Sequence, residues 1–289
     1  LNGNIIYGKD VAKKILSDIN MLKQQCNDHE ITTAIVRVGH NGDDIAYEES
    51  IVTNFKKLGL NTVKKTFEHA IDHDEFIKEI DALNKDQSIT GMIILCPLPQ
   101  HIKMDEVAQL IDPDKDLDGI SYTNIARLFS NEGLGFAPCT PTAVLELLDY
   151  ANVDVVGKDV TIVGAGFAVG RPLSVLLQAK QATITSTNVK TKDLLDHTRN
   201  ADIVIAAAGV KHLIKEQHIK EGTIVIDVGV NIDNDGKMFG DVDFDNVREK
   251  ARFITPVPGG VGSITTSILA KRVIQAKLIQ EEKAKLLNK

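Results

Sequence analysis

Apolar positions along the first third of the chain alternate between two rhythms. From Val11 to Leu22 they recur at three- and four-residue spacing, which predicts a helix. The following TTAIVRVG, residues 32–39, is short, β-branched and closed by a Gly/Asn turn, which predicts a strand. The rhythm repeats: a helix including Tyr47 to Leu58, a strand at 61–67, a helix at 74–84 and a strand at 90–95. Pro97 and Pro99 then stop the chain in CPLPQH, because each fixes its own φ and lacks a ladder donor. Two irregular stretches follow, DPDKDLDGI from 112 and APCTP from 137, the latter introducing a helix near Thr140.

From Val160 the text becomes VTIVG, a nearly pure β-run, then AGFAVGRPLSVLLQAK, a Gly-rich turn leading into a helix with an apolar face. Further strands are expected at 182–187, 202–207 and 223–228, and TTSILAKRVIQAKLI reads as one long amphipathic helix that returns to the first lobe. Strands separated by helical patterns predict an α/β fold with parallel sheets and right-handed crossovers, here in two lobes.

Charge narrows the classes of partner. The 289 residues carry 33 Lys and Arg against 40 Asp and Glu, a net charge of −7, with no basic stripe to follow a duplex. Nucleic acid is therefore not an expected partner. No apolar run reaches spanning length and the first residues lack a secretory pattern, so a cytoplasmic protein without membrane association is expected. Cys26, Cys96 and Cys139 are scattered and form no Cys-x-x-Cys pair, which favours free thiols. His69 and His73 lack the Glu of an HExxH site, and no metal is expected.

Three regions carry candidate chemistry. Gly164, Gly166 and Gly170 spell G-x-G-x-x-x-G directly after a strand. Such a loop can cradle a dinucleotide diphosphate, with a tight turn, close backbone approach and helix–sheet packing at the three glycines in order; it can also be a purely structural turn. Tyr47 shares a helix face with Ile51, Asn54 and Leu58, so it is either an aromatic core position or a phenol that orients a planar heterocycle. Asp118 is either a solvated turn acid or a holder of ligand N–H groups. TPVPGGVGS at 255–263 mixes stiff and permissive positions, which suits a binding rim as well as plain loop architecture.

Taken together, Tyr47, PLPQH at 97–101, DKDLDG at 114–119, PCTP at 138–141, IDVGVN at 226–231, GDVDF at 240–244 and TPVPGGVG at 255–262 resemble the methylenetetrahydrofolate dehydrogenase/cyclohydrolase family across almost the whole chain. The resemblance implies a tetrahydrofolate derivative bound between two lobes of a protein that commonly forms a homodimer. It implies a folate-binding catalytic domain over residues 1–140, completed by a carboxyl-terminal helix at 266–289, and a Rossmann-like NAD(P)-binding domain over 141–265. Tyr47 and Asp118 match the family's catalytic tyrosine and folate-contacting aspartate. Leu98, Pro258, Gly259 and Gly260 join them as substrate-binding positions. Gly164, Gly166, Phe167, Ala168, Val169, Asn188, Ala208, Gly209, Val230 and Thr265 are the implied cofactor positions.

The chain departs from the family pattern at positions that matter chemically. Ile51 stands where the family has a catalytic lysine and Leu95 where a glutamine precedes the PLP loop; neither side chain can donate or accept a hydrogen bond. Gly164-Ala165-Gly166 replaces a Gly-Arg-Ser, Asn188-Val189 replaces a His-Ser, and Ser263 replaces a Pro. The lost arginine and hydroxyl groups favour NAD over NADP, with Arg171 and Lys190 as the nearest cations. The expected activity is oxidation of 5,10-methylenetetrahydrofolate to the methenyl form by NAD(P), with cyclohydrolase activity in doubt; the alternatives are a bifunctional enzyme using displaced groups and a silent binding paralogue.

Overall fold

Each parallel strand in this chain feeds a helix that must cover one face of a sheet, and the element order follows that rule. The computed structural model describes residues 4–27, 30–131, 135–233 and 235–287. In chain order the first elements are β1 (Asn4–Ile5), α1 (Gly8–Lys23), β2 (Thr32–Val38), α2 (Gly42–Lys57), β3 (Asn61–Phe67), α3 (His73–Lys85), β4 (Gly91–Ile94), α4 (Met104–Leu110) and α5 (Tyr122–Ser130). There follow α6 (Cys139–Tyr150), β5 (Asp159–Val163), α7 (Gly170–Ala179), β6 (Thr183–Thr187), α8 (Leu194–Thr198), β7 (Ile203–Ala206), β8 (Ile224–Asp227), β9 (Asn231–Ile232), β10 (Met238–Phe239), α9 (Phe244–Val247), β11 (Phe253–Ile254) and α10 (Thr265–Leu287).

The chain divides into two compact units. One joins Ile15–Cys139 to the segment from Thr266 onward, and the other joins the residues up to Lys14 to Thr140–Thr265. The expected division placed the whole of residues 1–140 in one domain; the difference lies in β1, which pairs in parallel with β11 through Asn4↔Phe253 and Ile5↔Ile254 and so belongs to the second sheet. The outermost residues of the expected boundaries, 1–3 and 288–289, lie outside the described residues.

The unit containing β2 has a parallel sheet in the order β3-β2-β4. The segment 115–117 adds a parallel bridge beside β4, with Met92 N–H donating to Lys115 O at 2.7 Å and Leu117 N–H to Met92 O at 3.1 Å. Six of the seven β2 residues are buried, as a central parallel strand covered on both faces requires. Its core joins Ala34, Val36, Met92 and Ile94 to Phe76 and Ile80 of α3 and Val107 of α4. Helix α3 shows why it forms: Asp72 caps it by accepting from Asp74 N at 2.9 Å and Glu75 N at 3.3 Å, and Phe76, Ile80 and Leu83 recur on one buried face.

The second unit holds an all-parallel six-stranded sheet in the order β1-β11-β8-β7-β5-β6, plus the β9–β10 antiparallel pair. Its first strand in the βα series, β5, lies between β6 and β7, so the connections leave in opposite directions at that point, as in a Rossmann-like sheet. Val163, Val204, Ala206, Val225 and Ile254 form the sheet side of its core.

Four features differ from expectation. Helix α2 begins at Gly42, more than a turn before Tyr47, because Asn41 caps it through Asp43 N at 3.0 Å. Helices α4 and α5 form between the stretches read as irregular, where the sequence pattern assigns no element; α5 is capped by Ser121, which accepts from Asn124 N at 3.2 Å. The β9–β10 hairpin is too short to leave a period in the sequence. Finally, α10 is not buried along one stripe: Ile268, Leu269, Ala270, Arg272, Val273, Ile274 and Ala276 are all buried, so its first turns are enclosed on most sides.

Phe76 is fully buried and its ring meets that of Phe67 edge-on, with centroids 5.7 Å apart at 85°. Replacing it by alanine should destabilise the protein by about 4 kcal/mol through lost transfer energy and the cavity left behind. Urea unfolding monitored by far-UV dichroism checks this, and an unmoved midpoint contradicts the packing described.

Candidate functional site

Helix α2 is fixed by a buried carboxylate. Glu48 is 2% exposed and takes Arg37 Nε of β2 at 3.0 Å and Lys64 Nζ of β3 at 3.0 Å. Burial works to raise the Glu48 pKa, but hydrogen bonds and charge from Lys64 and Arg37 outweigh it and hold the carboxyl below its usual range. Arg37 Nη1 also donates to the Gly39 carbonyl, so the same guanidinium holds the β2–α2 turn. With Glu48, Ile51 and Phe55 turned to the interior, Tyr47 sits half-buried at the edge of that face. Asn54 extends the same side of the helix and donates from Nδ2 to Thr266 Oγ1 at 3.3 Å.

Ile51 is fully buried and Leu95, directly after β4, is 5% exposed. Both positions at which the resemblance implies lost polar groups are thus core positions. Lys56 and Lys57, the nearest lysines in α2, are exposed. Leu98 packs half-buried against the β2–β4 core.

Asp118 lies at the end of the 115–118 segment, beside Gly119, whose φ of +64° and close approach to Phe136 O leave no room for a side chain. Its Oδ1 accepts from Cys139 N at 2.8 Å. Burial raises the Asp118 pKa, while the Cys139 amide and the Arg272 charge pull it back down. Asp116, 2% exposed, anchors the same turn by accepting from Ile120 N at 3.1 Å, Ser121 N at 2.8 Å and Asn124 Nδ2 at 2.9 Å. On the adjoining loop, desolvation of its sulphur, then the charges of Asp118 and Asp44, push the Cys96 thiol up to about 12, although the residue as a whole is exposed. The β4 loop, the 115–118 segment and the start of α6 therefore converge on Asp118.

In the other unit, parallel strands deliver all of their following loops to one edge of the sheet. Gly164–Val169 follows β5, Asn188 follows β6, Ala208 and Gly209 follow β7, Val230 follows β8, and Pro258–Gly260 follows β11. Gly164, with φ +114°, would place a Cβ 2.2 Å from Ala207 O, and Gly170 would place one 1.9 Å from Gly164 O; the turn and the strand–helix contact both require glycine. Gly166 has nothing within 4 Å of its would-be Cβ. Its openness is not explained by packing, and it leaves backbone accessible at the amino end of α7, which suits a diphosphate. Phe167 and Val230 are 55% and 54% exposed. Thr265 is mostly buried and its hydroxyl donates to Gly262 O at 3.1 Å.

Two buried aspartates missed by the sequence reading hold these loops. Asp241 is fully buried; its Oδ2 accepts from Ala208 N at 2.6 Å and Gly209 N at 2.9 Å, and its Oδ1 from Val210 N at 2.8 Å and Asn231 Nδ2 at 2.9 Å. The amides of Ala208 and Gly209 are thereby committed, so these positions can meet a ligand only through other atoms. Asp227 accepts from Gly229 N, Asp241 N and Val242 N at 3.1, 3.0 and 2.9 Å. Burial pushes its carboxyl up to about 7 against the pull of the Val242 and Asp241 amides, with the Asp241 charge adding to the rise. Gly229 and Gly240 pack so tightly on these carboxylates that a Cβ would lie 2.1 and 1.8 Å from them. In the sequence Asp227 stands two residues before Gly229 in IDVGVN and Asp241 directly after Gly240 in GDVDF, and neither spacing by itself marks a loop anchor.

Comparison with known proteins follows the same two halves. The family model for the tetrahydrofolate dehydrogenase/cyclohydrolase catalytic domain matches residues 6–118, and that for the tetrahydrofolate dehydrogenase/cyclohydrolase NAD(P)-binding domain matches residues 138–281. The bifunctional protein FolD of Alkaliphilus metalliredigens is 44% identical over 276 residues, covering 95% of this chain and 97% of the relative. The crystal structure of the bifunctional FolD methylenetetrahydrofolate dehydrogenase/cyclohydrolase of Campylobacter jejuni is 36% identical with a TM-score of 0.92, covering 96% of this chain and 99% of that one. The Trypanosoma brucei FolD, solved with NADP and an inhibitor, is 30% identical with a TM-score of 0.89, covering 96% and 98%. Among the described residues no helix is long and apolar enough to cross a membrane. With both halves matched and the α/β architecture shared, the chain belongs to the tetrahydrofolate dehydrogenase/cyclohydrolase family.

Proposed function

We propose that the chain is an NAD(P)-dependent methylenetetrahydrofolate dehydrogenase that oxidises 5,10-methylenetetrahydrofolate to the 5,10-methenyl form. The observation that carries this reading is the family match across both halves, residues 6–118 and 138–281; the sequence resemblance assigns Tyr47 and Asp118 to the family's tyrosine and aspartate positions. A homodimer is part of the reading, as the resemblance implies. When bound, the nicotinamide accepts the hydride. The chain's own residues bind and orient: Asp118 accepts from ring N–H groups of the folate, Tyr47 lies along its planar system, and the Gly164–Gly170 loop carries the diphosphate. Positive charge left on the carbon bridge is shared by its two nitrogens, so hydride transfer needs alignment more than a proton-abstracting base.

Hydration of the methenyl product makes a different demand, because water must be activated and protons moved. The buried Ile51 and Leu95 weigh against that step, since the amine and amide that would handle protons are replaced by core side chains. The name bifunctional protein, borne by relatives more than 40% identical, favours the second reading, in which this chain also performs the hydration through other groups. A paired assay separates the two. Under the first reading, methylenetetrahydrofolate with NAD(P) yields reduced nicotinamide, while supplied methenyltetrahydrofolate disappears no faster than in buffer; Ile51→Lys with Leu95→Gln then raises hydration at least tenfold above the parent. Rapid hydration by the parent protein establishes the bifunctional reading instead, and failure of both reactions despite folate binding leaves a silent paralogue.

For the cofactor, NAD is proposed to bind at least as well as NADP. Asn188 spends its Oδ1 on Lys190 N at 2.9 Å and Val189 is 94% exposed, so the end of β6 presents no formed phosphate clamp. Arg171 Nε is turned back onto Ala165 O at 3.1 Å. Side-by-side titration of the two nucleotides at fixed ionic strength checks this, and tenfold tighter NADP binding contradicts it.

Gly166→Asp supplies a cleaner test of the diphosphate placement. The open space around Gly166 lets the substitution leave stability nearly unchanged, while the added carboxylate repels the diphosphate and should weaken dinucleotide binding at least tenfold. Unchanged affinity in calorimetry would place the dinucleotide elsewhere.

A further inference from the structure

One buried guanidinium in the unit containing Asp118 has no part in the reaction outlined above. Arg272, on the second turn of α10, is 5% exposed. Its Nη1 donates to Leu117 O at 2.9 Å and lies 3.3 Å from Cys139 Sγ, and its Nη2 donates to Pro138 O at 3.4 Å. The Phe136 ring lies 5.8 Å from its Cζ. The fork thus clasps the two segments that frame Asp118: residue 117 on one side, and on the other Pro138 and Cys139, whose amide is itself the donor to Asp118 Oδ1. Besides bridging the two segments, the guanidinium acts on Asp118 by its positive charge.

We propose that Arg272 is a positioning residue for the substrate, acting through Asp118: it fixes the two segments that aim the carboxylate and sets a positive charge within their reach. The inference rests on the folate reading of Asp118 given above. The groups facing Asp118 agree with it. They are Arg272 from α10, Cys139 from the start of α6, Cys96 from the loop after β4, and Asp116 from its own segment; only Arg272 among them carries positive charge. Lys115 is turned away, donating to Leu83 O at 3.0 Å and Asp86 O at 2.7 Å. Burial and the Asp116 charge raise the Asp118 pKa, the Cys139 amide and Arg272 lower it, and loss of Arg272 leaves the raising influences less opposed. A protonated Asp118 would lose one acceptor site for folate N–H groups and all of its charge complementarity to the cationic product.

The test is the pH profile of the dehydrogenase kcat/KM for methylenetetrahydrofolate between pH 6 and 9, in the full-length protein, with anaerobic calorimetric titration of tetrahydrofolate alongside. Arg272→Gln should move the acid limb up by about one pH unit and raise KM about tenfold at neutral pH, with a smaller change in kcat. Arg272→Lys, which keeps the charge but loses the fork, should hold the acid limb within about 0.3 pH unit of the parent while KM rises. An Arg272→Gln variant that loses thermal stability yet keeps the parental limb and KM overturns the proposal and leaves Arg272 a structural bridge. If Arg272→Gln does not fold, the Lys variant decides alone: a limb displaced by a full unit overturns the proposal, and a retained limb supports it. A parent protein that neither binds tetrahydrofolate nor turns over fails the folate reading itself, whereas a competent parent with unaltered variants fails only this inference.

Discussion

The loops that carry chemistry in both units stand because buried carboxylates take up their backbone N–H groups. A loop at the end of a parallel strand has donors that no ladder satisfies, and in a partly buried loop each orphan costs of order 1–3 kcal/mol. Asp116 closes the turn before α5, Asp241 collects three successive amides after β7, and Asp227 collects three more from the loops after β8 and β10. Glu48 does the corresponding work for a helix, tying α2 to β2 and β3 through two cations. Charge-assisted bonds are stronger than neutral ones, so each carboxylate fixes its loop more tightly than an amide would. The cost is a desolvated charge, visible in the rise of Asp227 to about 7. The glycines beside these carboxylates follow from the same constraint: Gly229 and Gly240 touch them so closely that any side chain would displace the oxygen atoms.

How far the sequence could be read follows from which forces leave a local trace. The βα order, the Gly164–Gly170 turn and the strands β2 to β8 were legible because burial imposes a period on neighbouring residues. The pairing of β1 with β11 was not, since two-residue strands some 250 positions apart in the chain share no local pattern. Helices α4 and α5 were hidden by the acidic and proline-rich text around them, and their stop and start depend on caps such as Ser121. The carboxylate anchors were illegible for a different reason. An Asp beside a Gly reads as a turn, and only the fold brings Asp241 to amides more than thirty residues earlier in the chain. Arg272 was similarly concealed inside a helix read only as amphipathic, where a lone arginine between apolar residues marks no partner.

Ile51 and Leu95 are structurally comfortable as apolar residues. Each is enclosed, and burial of an Ile or Leu side chain stabilises a fold by roughly 1.5–3 kcal/mol relative to exposure. A lysine at the first position would need a partner or a path to solvent, and a glutamine at the second would need its amide satisfied. At these two sites burial favours the apolar residue, and Arg272 is a positive charge that acts on Asp118. A guanidinium held by two carbonyls and a sulphur is poorly suited to exchange protons, because it stays ionised throughout the accessible pH range. It can set a field and a geometry, which is what hydride transfer requires.

The same distinction bears on ligand capture. The chain carries a net charge of −7, while a dinucleotide diphosphate is itself anionic, so long-range attraction does not assemble this complex. Capture has to come from short-range geometry. In the Rossmann-like unit the Gly164–Gly170 turn offers such geometry: two glycines are forced by packing and the third, Gly166, is left open at the amino end of α7. Backbone amides at such a helix end are directed by the fold rather than by flexible side chains, and they lose little entropy on binding. Without a formed cluster of cations at the end of β6, recognition of an added ribose phosphate would depend on exposed side chains such as Lys190, whose ordering costs entropy. At the end of β6 little is thus fixed in advance: Asn188 Oδ1 is taken by Lys190 N and Val189 stands exposed.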